Sequence, residues 1–414
     1  MPPVPNAEHG CHSRPSDRAS GGSAQGPDAV ARPRATPNNH GQGATRAGKT
    51  PCPGSDPQRL RDSEREPGPG AVEATTHQIA PTIAPTAAST GWNTGADWGD
   101  GGDWHWQGLR SHWRALGPEQ GPPLVLLHGF GASSDHWRHN AAPLAAAGFR
   151  VYSLDLIGFG RSDQPRHQRQ RPLDNRLWGR QVNAFLEQVV EAPAKGPAVL
   201  VGHSLGGLTA LTAAVLRPDL VAAVAAAPLP DPALIQPLPL RRPRRWRRLR
   251  RPLVVLAMRL LPLELLLPVI SRTRLLQLGL QGAYQRSIRH DRELQHLIAR
   301  PARRRSAARA LRAMSIGMAL RPRGATAPAL LKQLAEQDQA PPLLLLWGRQ
   351  DRFVPYWIGE RLQRQHPWLE LAVVEESGHC PHDERPEAFH ATVLAWLDRS
   401  LDAINTPVGP VRGA

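Results

Sequence analysis

A chain of 414 residues, 40% of them apolar, is long enough for one large folded domain or two ordinary ones. Its three cysteines, Cys11, Cys52 and Cys380, are too few and too scattered for a disulfide framework or a cysteine-built zinc site, so a reducing, cytoplasmic setting is expected. The formal charge of +16 invites a nucleic-acid reading, but residues 229–341 alone hold 22 Arg and 1 Lys against 6 acids, and that insertion accounts for the whole surplus.

Residues 1–102 are crowded with Pro, Gly, Ala, Ser, Thr and Arg and show neither a helical nor a strand period. Such a stretch buries too little apolar surface to offset its chain entropy, and disorder is expected. The N-terminus lacks the apolar run of about 7–15 residues that a secretory signal needs. Its Arg, Ser and Ala content is faintly similar to that of a transit peptide, but Glu8, Asp17, Asp28 and Asp56 count against one, and a mispredicted start codon is an equal reading. No run is long and apolar enough to span a bilayer without charges or prolines.

From Trp104 the pattern changes. "WHWQGLRSHWRALG" (104–117) alternates bulky and polar residues and predicts an antiparallel hairpin. "PLVLLHG" (123–129), "FRVYSLDL" (149–156), "PAVLVG" (197–202), "LVAAVAAAP" (220–228), "PLLLLWG" (342–348) and "LELAVVEE" (369–376) predict short apolar strands. Helices are expected between them, over 133–147, 176–191 and 205–216. Continuous apolar strands alternating with helices predict an α/β fold with a parallel sheet covered on both faces. Residues 229–341 interrupt the rhythm, are too long for a loop, and are expected to form a mainly helical cap. The expected organisation is an arm (1–102), a core in two parts (103–228 and 342–401), the cap between them, and a disordered tail (402–414).

Functional residues of a parallel sheet gather where strands end and helices begin. Those junctions read "HGFG", "GHSLGG", "GRQD" and "SGH", and supply a loop of backbone donors, a serine, an aspartate and a histidine. Gly202-His203-Ser204-Leu205-Gly206 fits the nucleophile elbow G-x-S-x-G, in which Gly202 and Gly206 make room for a strand turning straight into a helix. Ser204 would then stand at a helix N-terminus, where the Leu205 amide points at an oxygen that becomes negative, with the Phe130 amide as second donor. A serine hydroxyl is a poor nucleophile near neutral pH and needs a base. His379 is the expected base and Asp351 its orienting acid. Asp231, after the preceding strand, is the alternative acid, and His382 competes with His379. Asp155 and Asp163 read as turn caps, His128 as a brace for its loop with no metal implied, His203 as a substrate contact or a structural filler, and Cys380 as an inert neighbour. This chemistry calls for no metal and no cofactor.

The stretches "LLHGFG", "LDLIGFGRSD", "VGHSLGG", "LLLLWGRQDRFVP" and "ESGHCPHDERPEAF" together resemble the α/β-hydrolase fold superfamily over residues 104–401. The resemblance implies an eight-stranded, mostly parallel sheet with helices on both faces and a helical cap inserted after the sixth strand. It further implies a Ser204–Asp351–His379 triad with Phe130 and Leu205 as oxyanion donors. "WHWQG" and "HGFGASSDHWRHN" are similar to the pheophytinase and chlorophyll-dephytylase neighbourhood, from which the chain departs at His203, where Asn is expected, and in its Arg-rich cap. The expected activity is hydrolysis of a lipophilic carboxylic ester. Carbon–carbon hydrolases and acyltransferases keep the same triad and stay open as alternatives, whereas epoxide and haloalkane hydrolases of this fold use a carboxylate nucleophile that position 204 lacks. The rival of another class is an inactive membrane-surface binding protein. "LRRPRRWRRLRRP" (240–252), with eight arginines running from Arg241 to Arg251, precedes an apolar stretch and suits either a solvated lid face or contact with anionic lipid at a membrane periphery. No reader motif accompanies the charge, and nucleic acid is not an expected partner.

Overall fold

Every residue of three of the central strands is buried, which is why they read as unbroken apolar runs and why helices must cover both faces of the sheet. The computed structural model describes residues 98–235 and 244–405. β1 (Asp100–Trp106) and β2 (Leu109–Leu116) form the antiparallel hairpin, and β2 joins the edge strand of the parallel set. β3 (Pro123–Leu127), α1 (Ala141–Ala146), β4 (Arg150–Leu154), α2 (Asn175–Gln188), the single turn α3 (Ala192–Lys195), β5 (Ala198–His203), α4 (Leu205–Leu216) and β6 (Val221–Ala227) follow.

The insertion after β6 contains α5 (Pro232–Ile235), α6 (Arg244–Leu260), α7 (Leu263–Arg272), α8 (Arg274–Gln281), α9 (Arg292–Ala302), α10 (Ala307–Leu320) and α11 (Ala327–Ala335). The chain then returns through β7 (Leu343–Gly348), α12 (Trp357–Gln365), β8 (Glu370–Val374), the turn α13 (Pro381–Glu384) and α14 (Pro386–Asn405). The eight strands lie in the order β1-β2-β4-β3-β5-β6-β7-β8, with every pair from β4 to β8 parallel. One apolar cluster fills the face carrying α2, α4 and α11, and a second fills the face carrying α1 and α14. The eight-stranded sheet, its parallel set and the cap after the sixth strand match expectation.

Several boundaries differ. The folded chain begins before residue 103: Trp98 is fully buried, its Nε1 donates to the Ser134 carbonyl at 3.2 Å, and β1 starts at Asp100. α14 continues to Asn405, four residues past the expected end. α11 belongs to the core rather than to the cap, because Ala327, Leu330, Leu331 and Leu334 are buried in the same cluster as α4. The helix expected over 133–147 is split into a 3-10 turn at Ser134–Trp137 and α1. Cys11, Cys52, most of the arm, the tail beyond 405 and the start of the arginine block lie outside the described residues.

Candidate active site

β5 ends at His203 and α4 begins at Leu205, so a single residue makes the corner. That residue, Ser204, has φ 53° and ψ −115°, a conformation that costs a non-glycine residue about 1–3 kcal/mol. The corner closes only because its flanks lack side chains. A Cβ at Gly202 would lie 2.4 Å from the Gly206 carbonyl carbon, and one at Gly206 would lie 2.0 Å from the Leu127 oxygen. The Ser204 amide donates to the Ala227 carbonyl at 2.7 Å, which ties the elbow to the end of β6.

His379 and Asp351 arrive from the ends of β8 and β7. His379 Nε2 lies 3.1 Å from Ser204 Oγ, and its Nδ1 lies 2.9 Å from Asp351 Oδ2. An ionised carboxylate can only accept, so Nδ1 carries the ring proton and Nε2 is free to receive one from the serine. The other Asp351 oxygen accepts from the amides of Phe353 and Val354 at 2.8 and 2.9 Å, which fixes the carboxylate's orientation. The structure thus brings Ser204, His379 and Asp351 into one hydrogen-bonded chain.

The "HGFG" loop lies against the elbow, since a Cβ at Gly129 would sit 3.3 Å from Ser204 Cβ. Phe130 follows directly, 61% exposed as a residue, with its ring edge-on against Phe159. The Leu205 amide opens α4, where backbone N–H groups have no partner within the helix. His128 braces the loop as expected: Nε2 accepts from the Leu156 amide at 3.1 Å, so Nδ1 holds the proton donated to the Gly129 carbonyl at 2.8 Å. Burial holds this histidine's pKa below its ordinary value.

The alternative acid is not brought to the histidine. Asp231 pairs with Arg321 at 2.7 Å and accepts from the amides of Ala233 and Ala327, because the return of the chain at α11 encloses it. Asp155 takes the Ser134 and Arg161 amides and Asp163 the Arg110 amide, both as loop anchors. Cys380 is buried, which pushes its thiol pKa well above the usual range.

Of the two readings for His203, the structure supports the structural one: its Nε2 donates to the His379 carbonyl at 2.9 Å. With His136 and His382 it forms a buried group whose ligating nitrogens lie within 4.8 Å of one another, close enough to consider for a metal. His382 Nε2 lies 3.3 Å from His136 Nδ1, and His136 Nε2 lies 2.9 Å from the Tyr284 hydroxyl, so with His203 Nε2 four of the six ring nitrogens are already engaged. Burial lowers all three pKa values, His136 to about 4.

Sequence reasoning missed the part of the cap that holds the histidine loop. The His379 amide donates to the Ala283 carbonyl at 2.7 Å. Glu384 accepts from the Gly378 amide at 2.7 Å through one oxygen and from the Gln285 and Arg286 amides at 2.6 and 3.1 Å through the other. Phe353 stacks edge-on against His379 at 5.4 Å. Backbone bonds of this kind leave no sequence signature. Two clefts of about 360 and 490 Å³ share Arg292 and His296 in their linings and contain none of the triad; Ser204 itself is 6% exposed.

A strand-end serine, aspartate and histidine in this order on such a sheet define an α/β-hydrolase architecture. The model of the Alpha/beta hydrolase family matches residues 124–392, and the chain belongs to that family. It is 33% identical over 136 residues to epoxide hydrolase 4 of Mus musculus, a match covering 33% of this chain and 36% of that protein. The chain spans about a third of the length of the first curated relatives that it matches. A longer match, 29% identical over 298 residues, covers 70% of this chain and 98% of pimeloyl-[acyl-carrier protein] methyl ester esterase of Vibrio atlanticus. Among solved structures, a thermophilic esterase from Thermogutta terrifontis shares the fold with TM-score 0.53 and 22% identity, covering 72% of this chain and 97% of that one. The chain therefore carries the α/β-hydrolase fold.

Proposed function

We propose that the protein is a serine hydrolase that cleaves a lipophilic carboxylic ester through an acyl-enzyme on Ser204. The observation that carries this reading is the continuous hydrogen-bonded chain from Ser204 Oγ through His379 to Asp351. Ser204 Oγ attacks the ester carbonyl while its proton passes to His379 Nε2, and Asp351 stabilises the resulting imidazolium. The new oxyanion rests on the amides of Leu205 and Phe130, each worth about 3 kcal/mol in the transition state. His379 then returns the proton to the departing alcohol. Water attacks the acyl-enzyme, gives its proton to His379, and the acid leaves as the proton goes back to Ser204.

Two observations support an ester over the reactions of other relatives. Position 204 offers a hydroxyl and not the carboxylate that epoxide and haloalkane hydrolases of this fold use. One relative matched over nearly its whole length is named an esterase. The leucine-rich cap favours a lipophilic acyl or alcohol group. A fluorophosphonate probe should label Ser204, and p-nitrophenyl esters of increasing acyl length should be hydrolysed with a preference for the longer chains. Ser204→Ala should abolish labelling and lower turnover at least about 10³-fold. Undiminished hydrolysis by that variant would overturn the proposal.

A further inference from the structure

The cap carries a surface that hydrolysis at Ser204 does not use. α6, α7 and α8 are consecutive helices, and among the described residues eleven of the seventeen exposed large apolar side chains lie on or between them, from Leu249 to Leu278. Leu249, Leu253, Leu256 and Leu260 follow at steps of four, three and four residues, which makes one stripe along α6, and each is more than half exposed. At about 100° per residue, Arg250 flanks that stripe on one side and Arg248 and Arg259 on the other. Leu265, Leu266, Val269 and Ile270 continue the apolar surface on α7. Glu264 is the only acid between residues 244 and 281, against nine arginines, and it is engaged by Arg312 of α10. Soluble surfaces rarely leave so many apolar side chains together unless something covers them.

We propose that the α6–α8 face docks on a bilayer surface containing anionic lipid, with its leucines at the acyl boundary and its arginines among the phosphates. Charge complementarity selects this occupant. A second copy of the chain would press one arginine-rich face against another with a single acid between them. The face lies in the membrane plane and does not cross it. No described helix is long and apolar enough to span alone, and the pair Arg248–Leu260 and Leu263–Arg272 is bent by 52°. Driving that pair through a bilayer would put Arg259 and Glu264 into hydrocarbon. Apolar stripes with basic flanks instead fit an interfacial helix. α8 ends at Gln281, two residues before the Ala283 carbonyl that holds the His379 amide, so the docked face leads straight to the histidine loop.

The test uses the full chain carrying Ser204→Ala, so that its outcome is independent of whether the ester reading holds. Co-sedimentation with vesicles of phosphatidylcholine plus phosphatidylglycerol should exceed that with phosphatidylcholine alone at least about tenfold. Binding should fall when salt rises from about 0.1 M to about 1 M, which shortens the screening length from about 10 Å to about 3 Å. The double variant Leu256→Asp with Leu265→Asp should lose at least about tenfold in vesicle binding. Its unfolding midpoint should be unchanged, since both side chains are more than half exposed. Equal binding of both vesicle types, equal binding by the double variant, resistance to alkaline carbonate extraction, or a stable dimer dissolved by the same substitutions would each overturn the proposal.

Discussion

Acid should destabilise this protein well before its carboxylates protonate, because several histidines are buried in neutral form. Burial holds His136 and His390 at about 4, against an ordinary histidine value of 6.5. Between those limits the unfolded chain binds protons that the folded chain refuses, so stability rises with pH and is lost as pH falls through this window. From about pH 7 to about pH 5, a shift of this size costs about 2 kcal/mol per histidine, so these two together lose about 4 kcal/mol. His203 and His382 are pushed well below the ordinary value by burial and act in the same direction. Asp291 and Asp383 are held low, and their contributions are lost only below the ordinary aspartate range, outside this window. Glu384 opposes the trend, since burial raises it and its contribution is lost as pH rises. Urea unfolding at about pH 7, 6 and 5 reads the slope directly. His390→Gln removes one of the titrating groups, whose Nε2 bonds to Asn140 Oδ1 at 3.2 Å, and should recover about 2 kcal/mol of the acid-induced loss. Equal stability at both ends of the range, or an equal loss in wild type and variant, would refute the reasoning.

Asp351→Asn should lower kcat about 10⁴-fold, whereas Asp231→Asn should leave kcat within about threefold and instead destabilise the fold by about 3 kcal/mol, because the largely buried Arg321 loses its carboxylate partner. Steady-state kinetics and thermal melts on the two variants separate these roles. Gly206→Ala should cost about 3 kcal/mol or more, since its Cβ would meet the Leu127 oxygen, while Gly279→Ala on α8, with open space at its Cβ, should be neutral or slightly stabilising. Denaturant midpoints check both. Glu384→Gln should lower kcat about tenfold with a smaller change in KM, because the carboxylate that accepts from three amides around the histidine loop becomes half donor. Unchanged kcat would remove Glu384 from the positioning of His379.

What was legible in the sequence was whatever local chemistry dictates. Strands buried on both faces must be apolar throughout, so Leu124–Leu127 and Leu343–Leu346 announce themselves. Ser204 was legible because its corner admits only glycine at 202 and 206, and His379 and Asp351 because they follow strands directly. Trp98 was not, since one tryptophan between glycines and aspartates carries no period and its burial depends on Arg114, whose guanidinium lies 5.7 Å from its ring, and on the distant Ser134 carbonyl. α11 has the same apolar spacing as a cap helix, and only its packing on α4 assigns it to the core. The break at residues 138–140 was hidden for a similar reason: Arg138 and Asn140 turn inward to reach Asp383 and the His382 carbonyl, more than 240 residues away.

Those distant contacts converge on one seam, which ties the cap to the loop that carries His379. Arg138 is 2% exposed at its side chain and bonds both to Asp383 of α13 and to Asp291 at the start of α9, at 2.9 and 2.7 Å. Burial works against its charge, and the two carboxylates more than restore it, so its pKa is raised overall. Arg286 reaches Asp291 at 3.0 Å and Asp383 at 3.3 Å from the cap side. A buried ion network of this kind adds little net stability over an apolar one, but breaking it strands a charge at a cost of about 3–5 kcal/mol. Its consequence here is geometric. The residues it locks, 283–286 and 383–384, are those whose amides, carbonyl and carboxylate hold Gly378 and His379 in place. Swinging the whole cap away would therefore pull on His379, the base of the proposed mechanism. The cap helices outside the seam include α6 to α8, which present their leucines to the surroundings, and the proposed mechanism places substrate access there.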